Sequence, residues 1–266
     1  MIRRLAIALV FIVPILASCT KKEQPPHMIS ATQWSRLESL RIYFGHQSVG
    51  ENVLDGVRDL EKQSHRNSLR IVASDNPAAV EGPAIIESHV GRNGDPASKN
   101  VAFREALDKG FGNQGGIALY KYCFVDVRPD TDVPRMFADY HDNMRDLHAR
   151  YPGLTIVHAT IPLTTVEPGW KAAIKGLLGR PTERALAEKR HQFNLLLRQE
   201  YSGKEPIFDL AEAESTLPSG ARVYYTTHGE KIYTLAPEYT YDGGHLNGAG
   251  RQAVAKRLLE TLASLP

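Results

Sequence analysis

Short apolar segments with strand character alternate with longer segments whose apolar residues recur at helical spacing. This alternation runs through nearly the whole chain and restricts its fold more than any other feature. Arg41-Ile42-Tyr43-Phe44 is short and apolar, and Gly45 closes it. Val49 to Lys62 then sets Val53, Leu54, Val57 and Leu60 on one helical face. Leu69 to Ala73 reads as a strand, Lys99 to Lys109 as a helix, and Ile117 to Tyr120 as a buried strand. Val133 to Arg150 is helical and stops at Pro152-Gly153, and Leu154 to Ala159 is a strand. Pro181 to Tyr201 is a long helix with proline in its first turn, Pro206 to Leu210 a short strand, and Gly248 to Leu262 a closing amphipathic helix. Strand–helix alternation of this kind implies a mainly parallel sheet with helices on both faces. Five strands, near residues 41, 70, 118, 155 and 207, satisfy it. Two insertions interrupt the pattern, at 162–180 and 222–241, and the second resembles a hairpin around His228-Gly229.

Composition removes several classes of function. The 266 residues are 42% hydrophobic and 23% charged, which is globular composition. Thirty-two basic against 30 acidic side chains, with no basic stripe, point away from nucleic acid. Two cysteines, Cys19 and Cys123, exclude a disulfide framework and a cysteine-rich zinc site. The histidines show no metal-ligand spacing, and His89, His158 and His228 are not joined by any motif, so no metal is expected.

The first residues have the form of a leader. Arg3 and Arg4 precede an apolar run from Leu5 to Ala17, too short to span a bilayer. Leu16-Ala17-Ser18-Cys19 resembles the bacterial lipoprotein signal. The resemblance implies cleavage before Cys19, acylation of its sulfur, and anchorage in the cell envelope, facing the periplasm from the outer membrane. The expected organisation is a signal peptide (1–18), a polar, proline-bearing tether (19–38) and one domain (39–266).

Ligand sites of parallel α/β sheets lie beyond the carboxyl ends of the strands. After the first strand stands Gly45-His46-Gln47-Ser48-Val49-Gly50. Ser48 falls at a strand-to-helix turn, where free N–H groups stabilise an oxyanion. Taken alone, the same serine also reads as a helix cap. Before the closing helix stands Tyr241-Asp242-Gly243-Gly244-His245-Leu246-Asn247-Gly248-Ala249-Gly250. There a carboxylate three residues from an imidazole can orient it, and Asn247 can cap the helix.

Together, an early strand–Gly–x–x–Ser–helix and a late Asp-x-x-His-Leu-Asn-x-x-Gly resemble the SGNH hydrolase superfamily, related to the GDSL esterases. The resemblance spans about residues 39 to 264. It implies a three-layer α/β/α sandwich with a five-stranded flavodoxin-like sheet. It also implies a serine esterase that needs no organic cofactor, with Ser48 as nucleophile, His245 as base and Asp242 as its partner. The oxyanion donors it implies are the Ser48 N–H, Gly94 of Val90-Gly91-Arg92-Asn93-Gly94-Asp95, and Lys121 where the family carries Gly-x-Asn-Asp. Lys121 reads equally as a partner of Asp126 or as solvent-exposed. The implied substrate is a small ester, such as an acylated carbohydrate of the envelope. Transfer of the acyl group to a sugar, or a non-catalytic binding role, would use the same scaffold. The binding role predicts that Ser48 and His245 are out of hydrogen-bond reach, or that Ser48→Ala leaves the biological role intact. His46 reads as packing or pocket lining and Cys123 as a buried thiol. Trp170 with Tyr224, Tyr225, Tyr233, Tyr239 and Tyr241 reads as packing or as a sugar platform.

Overall fold

A computed structural model describes residues 29–167 and 182–266. The leader, Cys19, Trp170 and most of the 162–180 insertion lie outside the described residues.

In chain order the elements are α1 (Ala31–Leu37), β1 (Arg41–His46), α2 (Ser48–Gln63), β2 (Ile71–Ala73), β3 (Ala84–His89), α3 (Pro96–Ala106), β4 (Gly116–Tyr120) and α4 (Val133–Arg150). They continue with β5 (Leu154–Ala159), α5 (Glu183–Tyr201), β6 (Ile207–Phe208), α6 (Leu210–Ser215), the hairpin β7 (Tyr224–Thr227) and β8 (Glu230–Tyr233), and α7 (Gly248–Ala263). The main sheet is parallel throughout, in the order β2-β3-β1-β4-β5-β6.

Six strands replace the expected five. The strand overlooked in the sequence is β3, whose apolar run Ala84-Ile85-Ile86 is only three residues long before Glu87. It takes the place beside β1 that the sequence pattern assigned to residues near 70. That segment, β2, becomes an extra edge strand. Without β2 the order is the flavodoxin-like one.

Alternation along the strands divides the core into two layers. Ile42 and Phe44 of β1 face Val53 and Val57 of α2 and Leu258 of α7. Tyr43 faces the opposite side, with Phe103 of α3, Tyr140 and Met144 of α4, and Phe193 of α5. Buried residues at positions 136, 140, 144 and 147 form the inner stripe of α4, and the Asp132 side chain caps its start.

The folded domain begins earlier than position 39. Ser30 and Gln33 form a capping box on α1, and Trp34 and Leu37 are buried against the α2–α7 layer. Arg36 also reaches the backbone oxygens of Leu265 and Pro266. Residues from Ile29 onward, assigned from the sequence to a tether, are therefore part of the domain. The polarity of the stretch hid one buried tryptophan. Helix α5 begins at Glu183, with the Thr182 side chain as its cap, and Pro181 lies outside the described residues. Residues 224–233 form the expected hairpin. His228 and Gly229 both have positive φ, as a two-residue turn of this hand requires.

Candidate active site

Ser48 is the first residue of α2, immediately beyond the carboxyl end of β1. Gln47 holds the cap position, and neither its side chain nor that of Ser48 caps the helix. The hydroxyl is thus free of the role that a serine at a helix start most often plays. Gln47 is occupied elsewhere. Its Nε2 donates to the carbonyls of Val90 (3.1 Å) and Gly91 (3.0 Å), which ties the loop after β3 to the serine turn.

Ser48 Oγ lies 3.0 Å from His245 Nε2, across 197 residues of sequence. His245 Nδ1 lies 2.7 Å from Asp242 Oδ2. The other carboxylate oxygen, Oδ1, accepts the N–H groups of Gly244 (2.9 Å) and His245 (2.8 Å). These bonds, the His245 N–H first among them, hold Asp242 well below the usual carboxylate range. Of the two outcomes expected of a binding-only protein, a separation of Ser48 from His245 is not found.

Long-range contacts position the histidine loop. Leu246 N donates to Asn52 Oδ1 (3.0 Å), and Asn52 stands one turn after Ser48 on α2. Thr240 Oγ1 donates to the His245 carbonyl (2.6 Å) and accepts the Gly243 N–H (3.0 Å). Gly243, at φ +91°, passes its carbonyl to the Thr165 N–H (2.9 Å). The ring of Phe124 meets His245 edge-on at 5.7 Å, and a Cβ on Gly244 would lie 2.8 Å from that ring. Asn247 caps α7, accepting the N–H groups of Ala249 and Gly250. A cleft of about 640 Å³ opens beside His245, with Phe124, Arg128, Thr165 and Arg190 in its wall.

The remaining candidates are placed differently from their sequence reading. The Gly94 N–H is committed to Asp126 Oδ1 (2.8 Å). Lys121 is buried and its Nζ contacts Cys123 Sγ at 3.5 Å, so it is neither exposed nor paired with Asp126. Lys99 takes that pairing, 2.6 Å from Asp126 with both side chains fully buried. Asp126 also accepts the Cys123 N–H, so one carboxylate joins the loops after β3 and β4.

His46 is packed beneath the serine turn, its ring nitrogens 3.0 Å from the Gln47 carbonyl and from Glu87. His89 pairs with Glu51, and Cys123 is a buried free thiol. Tyr239 is buried, Arg184 lies over Tyr225, Arg222 over Tyr233 and Lys231 over Tyr224. Among the described residues of that aromatic set, Tyr241 is the most exposed, at 83%. Gln47, Asn52 and Thr240 were missed in the sequence. Only their nearness to Ser48 and His245 signalled them.

No family profile and no curated protein matches this sequence. Solved structures do. A GDSL-like lipase from Bacteroides thetaiotaomicron matches with a TM-score of 0.50 at 14% identity, covering 85% of this chain and 88% of that one. A lipase/acylhydrolase from Enterococcus faecalis matches at 0.48 and 12%, covering 84% and 94%. An acetyl xylan esterase, AlAXEase, matches at 0.45 and 13%, covering 82% and 97%. With its parallel sheet, three layers and strand order, the chain carries the fold of the SGNH and GDSL-type hydrolases, as a divergent example of it.

Proposed function

We propose that this protein is a serine-dependent ester hydrolase. The observation that carries the proposal is the unbroken sequence of contacts from Ser48 Oγ through the His245 ring to Asp242. Ser48 Oγ attacks the ester carbonyl carbon while its proton passes to His245 Nε2. Asp242 at Nδ1 fixes the tautomer and stabilises the imidazolium. The carbonyl oxygen becomes an oxyanion beside the start of α2, where the first N–H groups have no intrahelical acceptor. Collapse breaks the ester C–O bond, and the alcohol leaves with the proton from His245. Water then attacks the acyl-enzyme, giving its proton to His245; that proton passes on to Ser48 Oγ as the acyl C–O bond breaks, and the acid is released.

Of the three oxyanion donors expected from the sequence, the Ser48 N–H donates to no acceptor among the described residues, whereas the Gly94 N–H is bonded to Asp126 and Lys121 is buried against Cys123. The Gly91 N–H takes no acceptor among the described residues, and the Gln47 amide holds that glycine beside the serine turn. We assign it as the second donor, in place of Gly94.

The substrate we propose is an O-acyl ester of a carbohydrate, with the protein tethered to the envelope through Cys19. The leader sequence supports that location. Cys19→Ser is expected to release the protein from the membrane fraction and to abolish incorporation of labelled fatty acid.

Hydrolysis of p-nitrophenyl acetate and labelling by a fluorophosphonate test the activity. Ser48→Ala is expected to abolish labelling and lower kcat/KM by more than about 10³-fold. A folded wild-type protein that neither turns over nor labels would favour a binding role.

A further inference from the structure

His148, His158 and Glu205 converge on one point of the α4–α5 side of the sheet, and their ligand atoms all lie within 4.8 Å of one another. They come from three elements: the last turn of α4, strand β5, and the loop between α5 and β6. No sequence spacing connects them. A single oxygen, Glu205 Oε2, lies 2.7 Å from His148 Nε2 and 2.8 Å from His158 Nε2.

His158 is prepared as a ligand. Its Nδ1 is 2.8 Å from the Tyr140 hydroxyl, and its ring stacks on Tyr201 with centroids 3.5 Å apart. A hydroxyl can accept from Nδ1–H as readily as it donates to Nδ1. Tyr140 can therefore hold the tautomer that leaves the Nε2 lone pair free, the outer-shell arrangement typical of metal-bound histidine. Two polar atoms at this point are buried without a hydrogen bond among the described residues. They are His148 Nε2, whose contact with Glu205 is off-angle, and the Tyr201 hydroxyl.

We propose that His148 Nε2, His158 Nε2 and Glu205 Oε2 bind one divalent transition ion of the zinc class. Two imidazoles and one carboxylate suit such an ion, whereas magnesium and calcium favour oxygen ligands. Tetrahedral ligands about 2.1 Å from zinc stand about 3.4 Å apart, so the two short contacts open by roughly 0.6 Å on binding. His158 is fixed by its packing. The His148 and Glu205 side chains, 37% and 30% exposed, supply both the movement and the entry path. Water or another donor completes the coordination. The ion would link α4, β5 and the segment leading into the two-residue edge strand β6, which fits a structural role. The proposal is independent of the Ser48 reading, since it uses none of those side chains.

Zn²⁺ titration of the EDTA-treated protein, followed calorimetrically and by thermal unfolding, tests it. One ion per chain, a Tm that rises with free Zn²⁺, and the intense visible spectrum of four-coordinate Co²⁺ are expected. Glu205→Gln and His148→Ala, both at partly exposed positions, are each expected to weaken binding by more than about tenfold. The proposal is overturned if the wild-type protein shows no saturable binding up to about 100 µM, an affinity of roughly 5–6 kcal/mol. The same holds if Co²⁺ gives the pale six-coordinate spectrum, or if both folded variants bind as the wild type does.

Discussion

Asp242 keeps its carboxylate ionised without being buried. More than half of its side chain is exposed, and its charge is held by two backbone N–H groups and the His245 ring. This differs from the buried aspartate of the serine-protease triad, and the open setting reduces what the carboxylate adds to the imidazole. Asp242→Asn is therefore expected to lower kcat/KM by about 10- to 10²-fold, less than the ~10⁴-fold loss at a buried triad aspartate. The same variant carries a pH signature in stability. A depressed carboxylate stabilises the fold above its unfolded pKa of about 3.9, and that contribution is lost as pH falls through the lower folded value. Urea unfolding is expected to show the wild type ahead of Asp242→Asn at pH 6, with the gap closing as pH falls below 4. A constant gap would refute this origin for the shift.

At the scale of elements, the site depends on how closely α2 lies against α7. Gly56 of α2 faces the Arg251 carbonyl so tightly that a Cβ would stand 2.1 Å from that oxygen. Gly250 faces the Tyr239 carbonyl in the same way, at 2.3 Å. These approaches bring the start of α2, with Ser48, to the loop that precedes α7, with His245. Gly56→Ala is expected to cost about 1–3 kcal/mol in urea unfolding, because neither backbone can yield without moving a helix. Asn52 is a positioning residue between the same two elements. Asn52→Ala leaves the Leu246 N–H without its partner, at a cost of about 1–3 kcal/mol. Its distinguishing readout is kcat falling with KM unchanged. Asn52→Asp, which retains the acceptor, is expected to recover much of the loss.

For the molecule as a whole, an ionisable group sealed inside the fold makes stability depend on pH. Glu214 on α6 is fully buried, with one oxygen accepting the Leu163 N–H at 2.6 Å and the other without a partner among the described residues. Burial pushes its carboxyl up to about 8. Between the unfolded value and about 8, the native protein retains a proton that the unfolded chain has released. Stability therefore falls as pH rises through that window, by on the order of 1 kcal/mol per pH unit, and levels off above it. Glu214→Gln is expected to flatten this dependence between pH 5 and 8, measured by chemical denaturation. A variant whose stability tracks the wild type across that range would refute it. The domain also extends to α1, where Trp34 is buried to 2% exposure. Trp34→Ala is expected to cost about 3–5 kcal/mol, a loss that a mere tether would not produce. Thermal unfolding distinguishes the two.

Much of the architecture is a matter of local pattern, and local pattern is legible. Periodicity marked α2, α4 and α7, and the turn chemistry around Gly45 and Asp242 marked both ends of the site. The Asp242–His245 contact spans three residues, so its geometry follows from one glycine-rich turn. The rest was settled in three dimensions. The apolar run of strand β3 is too short to stand out alone, and the segment is a strand because β1 and β2 flank it. Asp126 has one lysine five residues before it in sequence, yet it pairs with Lys99, 27 residues away, because α3 delivers that amine to the buried loop. Gln47, Asn52 and the His148–His158–Glu205 group carry no motif at all. A sequence constrains its neighbours along the chain through backbone and side-chain preference. Which distant polar groups meet depends on packing the helices onto the finished sheet, and only there do desolvation and hydrogen-bond geometry select the partners.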